Sequence, residues 1–247
     1  MQDTGESSSM VGDAKVTAWD LPTRLFHWAL VVSITFAWIT YRYAEVMGDP
    51  TMKMHRYNGY FILSLLIFRV IWGFVGHPTA RFRNFLRSPS TALGYGGNLL
   101  RGRTTPHYLG HNPLGAYMVI ALMTVVAAQA VVGLVVVEHN DTAWGPLYRL
   151  VPETSQRTVR YIHYVLFFYV LLPLVAIHIL TNLAYTLLKK DPLITAMLSG
   201  KKPRQEYADA SVALPPRRNL LRALSAAFVA IAVVLGTISL LGGRLFY

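Results

Sequence analysis

The sequence contains no cysteine, and this absence excludes several kinds of chemistry at once. Disulfide bonds, iron–sulfur clusters, thioether attachment of a cofactor and thiol catalysis all require cysteine. Charge is also scarce, because only 14% of the 247 residues are Asp, Glu, Lys or Arg. Any metal centre must therefore use histidine, methionine, tyrosine or a carboxylate as its ligands.

Apolar residues are what the sequence has in abundance. They make up 53% of the chain, and the mean hydropathy is +0.38. A soluble domain of this size could not bury so many apolar side chains, so the composition indicates a membrane protein. The apolar residues form five runs, each close to the length that a spanning helix needs: 24–44, 56–76, 114–137, 161–187 and 220–241. We therefore predict an all-α membrane protein with five transmembrane helices.

Basic residues are distributed unevenly among the predicted loops. The second loop (77–113) carries five arginines and the fourth (188–219) seven basic residues, whereas the first carries only Lys53. Cytoplasmic loops usually hold the excess of Lys and Arg. We therefore expect the second and fourth loops and the N-terminus inside, and the C-terminus outside. The net charge of +11 then reflects membrane topology and not nucleic-acid binding.

Four histidines lie near the ends of the predicted helices, at His27, His55, His163 and His178. Because successive helices alternate in direction, His27 and His178 fall at the inner level and His55 and His163 at the outer level. His163 and His178 are 15 residues apart on one helix, which is about 22 Å along an α-helix and about 60° around it. Each pair can meet inside a bundle, and two imidazoles per iron are typical of electron-transferring haem.

Each histidine also has an ordinary interpretation, because interfacial histidines often have a structural role or extend to lipid headgroups. His178 fits that interpretation least, since it lies in the apolar segment LPLVAIHILTN. His139 is the natural substitute if His55 or His163 is not a ligand. Three others fall in the second loop and do not match the pattern: His77, His107 and His111.

Four segments form an ordered series of motifs: VTAWDLPTRLFHW, MHRYNGYFILSLLIFRVIWGFVGHPTARF, YLGHNPLGAYMV and IHYVLFFYVLLPLVAIHILTN. The series resembles the bacterial di-haem cytochromes b, a family that includes cytochrome b561 and the b-type subunit of nickel–iron hydrogenases. The resemblance covers about 16–200. It implies a four-helix bundle with two haem b groups, one bound by His27 and His178 and the other by His55 and His163.

The resemblance also implies a domain organisation and a function. We expect a polar tail (1–15), a di-haem four-helix domain (16–200), a basic cytoplasmic linker (201–219) and a C-terminal transmembrane helix (220–247). The family implies electron transport in the bacterial inner membrane, between the quinone pool and a periplasmic c-type cytochrome or an oxidoreductase or hydrogenase subunit. We expect an electron-transfer subunit of a respiratory membrane oxidoreductase and not a self-sufficient enzyme, and the sequence leaves a homo-oligomer and a hetero-oligomer both open.

A purely structural membrane anchor with no bound cofactor would not need His178, and two further alternatives stay open. The first is a stand-alone quinone reductase that uses a small oxidant such as superoxide. The second is a proton or metal-ion transporter that uses intramembrane histidines. A transporter would usually add carboxylates at membrane depth, whereas Glu45 and Glu138 lie only at the ends of predicted helices.

Several polar residues in or near the predicted helices could support a cofactor. Arg69 lies within the second span, on roughly the same face as His55, and could bind a haem propionate or extend to the headgroups. Arg24 and Arg56 are weaker candidates for the same role. Gln129 could contact a quinone, but we favour a hydrogen bond to a neighbouring helix.

Overall fold

The structure is a computed structural model that describes residues 15–138, 143–210 and 220–246. Most of these residues are helical. The elements in chain order are β1 (Lys15–Thr17), α1 (Leu21–Arg42), α2 (Lys53–Val75), α3 (Phe82–Phe85), α4 (Pro89–Leu100), α5 (Pro113–Gly133), α6 (Glu153–Val165), a π-helical segment (Leu166–Leu171), α7 (Leu172–Leu188), α8 (Leu193–Ser199), β2 (Lys201–Pro203) and α9 (Leu220–Leu240).

Five helical stretches are long and apolar enough to cross a membrane: α1, α2, α5, the continuous run Glu153–Leu188 and α9. The prediction of an all-α membrane protein with five transmembrane helices is confirmed. A bilayer core offers no hydrogen bonds to the main chain, so each span satisfies its own N–H and C=O groups as a helix. The large apolar side chains that these helices leave exposed, such as Val32 and Phe228, match an apolar solvent.

The fourth span begins earlier than its apolar run predicts. The apolar residues start at 161, but the helix begins at Glu153. Its first two turns are polar and are held by Gln156, which accepts a hydrogen bond from the Val137 amide at 3.1 Å and donates to the Tyr148 carbonyl at 3.2 Å. Hydropathy alone could not locate this start, because polar helical turns carry no hydropathy signal.

A π-helical segment interrupts the fourth span between α6 and α7. Pro173 follows the segment closely. In a regular α-helix its ring would clash with the Tyr169 carbonyl, and it has no N–H to donate there. A wider π turn relieves that clash. The rotation of about 60° between His163 and His178, expected for an unbroken α-helix, therefore does not apply to this chain.

The chain divides into two compact units. The first unit contains residues 15–24, 72–119 and 178–210, and β1 pairs antiparallel with β2, Lys15 opposite Pro203. Its buried core consists of Ala18, Trp19, Leu109, Ala196 and Tyr207. Segments that are distant in sequence therefore meet around one small apolar core.

Buried charges reinforce the first unit. Lys202 is 1% exposed, lies 2.8 Å from the Asp191 carboxylate and donates to the Tyr108 carbonyl at 2.8 Å. The Asp209 carboxylate accepts hydrogen bonds from the amides of Leu109 and Gly110. Lys202 and Asp209 therefore both hydrogen-bond to the main chain next to or at Leu109.

The second unit contains residues 25–71, 120–138, 143–177 and 220–246. One of its apolar clusters joins α2, α5 and the π segment through Ile62, Leu66, Val126 and Leu171. In α9 every fourth side chain is buried, at Ala226, Ala230, Val234 and Ile238, and the last two pack with Tyr60 and Leu147. The fifth span therefore belongs to the core of this unit.

Some predicted features lie outside the described residues. They are residues 1–14 of the predicted tail, residues 211–219 of the predicted linker, and His139. The described part of the predicted linker, 201–210, contains β2 and packs within the first unit.

Candidate functional site

The second unit contains a cavity of about 460 Å³ between its helices. Side chains of α1, α2, α5, α6 and the π segment line it, and His55 and His163 are among them. The structure therefore brings together, at one cavity, the two histidines that the sequence assigns to the outer level. A cavity of this size is within the usual range for small-molecule and cofactor sites.

His55 is oriented by the main chain of α1. Its Nδ1 lies 2.9 Å from the carbonyl oxygen of Ala37, and the Thr40 hydroxyl is 3.5 Å from the same nitrogen. A carbonyl can only accept, so Nδ1 carries the proton and donates it. The lone pair is then on Nε2, the arrangement found in metal-binding histidines.

His163 contacts helix α5. Its Nε2 lies 3.2 Å from the Gln129 side-chain nitrogen, which confirms the expected contact of Gln129 with a neighbouring helix. The Nδ1 atom of His163 is buried, with no hydrogen-bond partner among the described residues. Gly133 gives the ring its space, because a Cβ atom there would lie 3.1 Å from the His163 ring carbon Cε1.

The walls of the cavity are suited to a flat apolar group. Phe167, Phe168 and Leu171 line one side, and a Cβ atom at Gly59 would meet nothing within 4 Å. Gly59 follows His55 by one helical turn, so the open space lies on the histidine side of α2. The residues present therefore fit a planar macrocycle such as haem.

His55 and His163 supply two imidazole side chains at this cavity. In the described part of the chain, no group of three or more His, Asp or Glu side chains is placed to hold a metal ion. A structural or catalytic zinc site needs at least three protein ligands. Two imidazoles suffice where a porphyrin supplies the other four nitrogens.

Three arginines line the cavity: Arg56, Arg157 and Arg160. Arg56 is 8% exposed and donates to the Trp144 carbonyl at 3.2 Å, and Arg160 donates to the Val137 carbonyl at 3.3 Å. Glu138 is the acidic residue among the lining side chains. This excess of positive charge favours an anionic group, such as a carboxylate, in the cavity. Arg157 was not predicted as a site residue, although it lies three residues before Arg160 and six before His163, a spacing of successive helical turns.

The other two predicted ligands lie in different units, and each has its own surroundings. His27, in the second unit, is partly buried and packs edge-on against Trp28 at 5.0 Å between ring centres. His178, in the first unit, is partly buried while Ile179 and Leu180 are exposed. The amide nitrogen of Asn182 lies 3.3 Å from the ring nitrogens of His178. The i, i+4 spacing of His178 and Asn182 could have indicated this contact.

The remaining predicted arginines have distinct surroundings. Arg69 is only 2% exposed, so its guanidinium is enclosed by protein and does not extend to the headgroups. Arg24, in the first unit, donates to the main-chain carbonyl of Leu198 near the end of α8. A cation at a helix C-terminus stabilises the unpaired carbonyls there, which gives Arg24 a structural role.

The histidines of the second predicted loop have structural positions in the first unit. His77 lies 2.8 Å from the Thr79 hydroxyl, and His111 packs between Trp19 and Phe85, each at 4.7 Å. His107 is 3.8 Å from the Asp191 carboxylate.

Comparison with known proteins identifies relatives of the chain. The profile of one protein family, described as prokaryotic cytochrome b561, matches residues 18–200. A probable Ni/Fe-hydrogenase B-type cytochrome subunit from Rhizobium leguminosarum bv. viciae is 24% identical over 223 residues. That alignment covers 78% of this chain and 91% of the relative.

Proposed function

This chain belongs to the prokaryotic cytochrome b561 family, and we propose that it carries electrons between the quinone pool and a periplasmic redox partner through two haem b groups. The chain is a multi-pass membrane protein, because it has five apolar spans, and its family makes it a b-type cytochrome that transfers electrons. The one-electron chemistry is supplied by the haem iron when it is bound. The protein's part is to bind the haem, orient it and surround it with a medium of low dielectric constant.

The outer haem site of this proposal consists of His55 and His163. The observation that carries it is that two helices direct one imidazole each to the same apolar cavity, with Nδ1 of His55 paired to the Ala37 carbonyl. Nε2 of His55 is the ligating nitrogen in this arrangement. Arg56 is the candidate partner for a propionate, because it is buried and lines the same cavity.

For the inner haem we propose His27 and His178 as ligands, from their levels along the predicted spans and from the family resemblance. Both side chains are partly buried, although each lies on a helix with exposed apolar neighbours. Arg69 is the candidate partner for a propionate of this haem, because guanidinium and carboxylate groups pair well and the residue lies within the second span, 2% exposed. Arg24 contributes less to this site, because its guanidinium already binds the Leu198 carbonyl.

The proposed domains and orientation follow from the sequence. Residues 16–200 form the haem-binding domain, 201–219 a cytoplasmic segment and 220–247 an added transmembrane helix. The chain lies in the bacterial inner membrane, and its basic second and fourth loops face the cytoplasm. The periplasmic partner is a c-type cytochrome or an oxidoreductase subunit, a proposal supported by the hydrogenase subunit to which the chain is similar.

A haem count on the purified protein tests this proposal. The dithionite-reduced minus oxidised spectrum should show b-type bands, and haem quantification should give about two per chain. H55A and H178A, made separately, should each lower the count by one. H107A is the matched control, since His107 belongs to the loop histidines and should leave two haems.

The result also distinguishes the alternatives. A colourless protein would overturn the proposal and favour a histidine-based transporter. Two haems that exchange electrons with both superoxide and quinone, in the absence of any protein partner, would favour the stand-alone quinone reductase. Loss of haem in H107A as severe as in H55A would show that the assignment of ligands is wrong.

A further inference from the structure

Helix α4, in the segment between the second and third spans, has an exposed leucine edge. Leu93 is 74% exposed and Leu100 is 90% exposed, and Leu86, just before the helix, is 36% exposed. Leu93 and Leu100 are seven residues apart, about two helical turns, so they lie on one side of the helix. Ala92 and Tyr95 face the protein and are buried.

Hydrogen bonds hold α4 beside the ends of two membrane-spanning helices. The Tyr95 hydroxyl lies 3.1 Å from the hydroxyl of Tyr185, in the last turn of α7. The Tyr117 hydroxyl, in the second turn of α5, donates to the Arg87 carbonyl at 2.9 Å. All these residues belong to the first unit. Because both spans end at the bilayer surface, α4 lies at the level where the hydrocarbon core meets the headgroups.

The segment around α4 is strongly basic. The sequence has no Asp or Glu between Asp49 and Glu138. Two exposed arginines precede α4 and two follow it: Arg83, Arg87, Arg101 and Arg103. An apolar edge with arginines at both ends is the pattern of helices that lie in the interface of an anionic membrane.

We propose that α4 is a membrane-surface anchor that binds anionic phospholipids. Its leucine edge inserts among the acyl chains, and the flanking arginines bind the phosphate groups of the headgroups. Two leucines exposed to water at this level would be unfavourable, because apolar surface is stabilised only when it leaves water. The arginines also determine which lipid fits best, since a zwitterionic headgroup offers no net charge to them. This proposal is independent of haem binding.

Because the chain has no cysteine, single labelling sites can be introduced without removing any native residue. We would attach a nitroxide spin label to L93C and, separately, to L100C in the full-length protein. T91C is the matched control, because Thr91 is exposed on the same helix but about 160° around it from Leu93. Each labelled protein is reconstituted into vesicles of phosphatidylcholine alone or of phosphatidylcholine with phosphatidylglycerol.

Collision with two relaxants gives the depth of each label, since oxygen concentrates in the hydrocarbon and a nickel chelate stays in water. We expect labels at L93C and L100C to respond to oxygen more than to nickel, and the label at T91C to do the reverse. Adding phosphatidylglycerol should move the first two labels deeper. In an R87Q/R101Q background that movement should be lost.

Several results would overturn the proposal. If the labels at L93C and L100C respond to nickel as strongly as the label at T91C, the leucine edge faces water. If they are shielded from both relaxants, protein covers the edge, for example a second copy of the chain. Equal depth with and without phosphatidylglycerol would show that α4 does not bind anionic lipid. Size-exclusion chromatography tests whether each variant is folded, and only folded variants enter the comparison of label depths.

Discussion

The Nδ1 nitrogen of His55 lies 2.9 Å from the main-chain carbonyl oxygen of Ala37, on the preceding helix. The bond joins α2 to α1 and holds the imidazole in one tautomer. A main-chain acceptor cannot rotate away as a side chain can, so the ring direction depends on the packing of two helices.

The Thr40 hydroxyl weakens the hydrogen bond that His55 donates to the Ala37 carbonyl. The single hydroxyl proton of Thr40 is shared between the Phe36 carbonyl at 2.8 Å and the Ala37 carbonyl at 3.1 Å. In T40V the Ala37 oxygen loses this second donor and accepts more strongly from His55, which increases electron density on the imidazole. An imidazole with more electron density stabilises ferric iron. We therefore expect the midpoint potential of one haem to fall by about 20–60 mV, which corresponds to the free energy of about one hydrogen bond.

A potentiometric titration of the reduced spectrum measures this change. The other haem serves as an internal reference, and T40S, which keeps the hydroxyl, should behave as the natural protein. Unchanged potentials in T40V, with both haems retained, would show that Thr40 has no influence on the ligand.

Gly59 keeps part of the cavity open. A Cβ atom there meets nothing within 4 Å, and the residue lies one turn from His55. In G59L the new side chain would occupy the space of the macrocycle, so we expect about one haem per chain in place of two. G236L is the matched control, since Gly236 on α9 also has open space around it but does not line the cavity. Two haems in purified G59L would contradict the outer site.

Lys202 should stabilise the first unit far more than its neighbour Lys201. Lys202 is buried against Asp191 and the Tyr108 carbonyl, whereas Lys201 is exposed. K202M leaves the Asp191 carboxylate buried without its cation, which costs about 3–5 kcal/mol. K201M should change stability by less than about 0.5 kcal/mol.

Chemical denaturation of the full-length protein in detergent would measure the free energy of unfolding of K202M and of K201M. The double variant D191N/K202M should recover part of the loss, because no unpaired charge remains. Equal stability of K202M and K201M would show that the ion pair contributes nothing.

Tyr207 makes the first unit sensitive to alkaline pH. Burial, followed by the negative charges of Asp191 and Asp209, raises the pKa of Tyr207 to about 12. Its hydroxyl donates to the Pro203 carbonyl at 2.6 Å, which a phenolate cannot do. The pKa of Tyr207 in the folded protein exceeds the ordinary tyrosine value of about 10. The protonated Tyr207 therefore stabilises the fold fully below about pH 10, and this contribution is lost as pH rises through about 12.

Near-ultraviolet absorbance of tyrosinate follows this titration. Y207F should remove one late-titrating tyrosine and should lower stability by about 1 kcal/mol at neutral pH, through the lost hydrogen bond. Y43F, at an exposed tyrosine, should leave the late-titrating group in place. If the tyrosine that Y207F removes from the titration curve ionises near pH 10, the raised pKa of Tyr207 is excluded.

Much of the fold could be predicted because each span is a local feature of the sequence. The apolar runs predict all five transmembrane helices, and the largest departure is the polar start of the fourth span, from Glu153 to Arg160. The π segment was not predicted, since Pro173 allows a kink, a break or a wider turn. The surroundings of single side chains were least predictable. Arg24 and Lys202 differ little from other basic residues in sequence, yet one binds the Leu198 carbonyl and the other is buried with Asp191.

The sequence by itself determined the membrane class, the number of spans, the candidate histidines and the family, because these depend on residue types and their spacing. Only the tertiary structure decided that His55 and His163 share a cavity and that the Ala37 carbonyl orients His55. It also decided that α4 keeps its leucine edge exposed beside two span ends. These relationships join residues far apart in the chain, and they exist only when packing brings helices together, which no local pattern of hydropathy or charge contains.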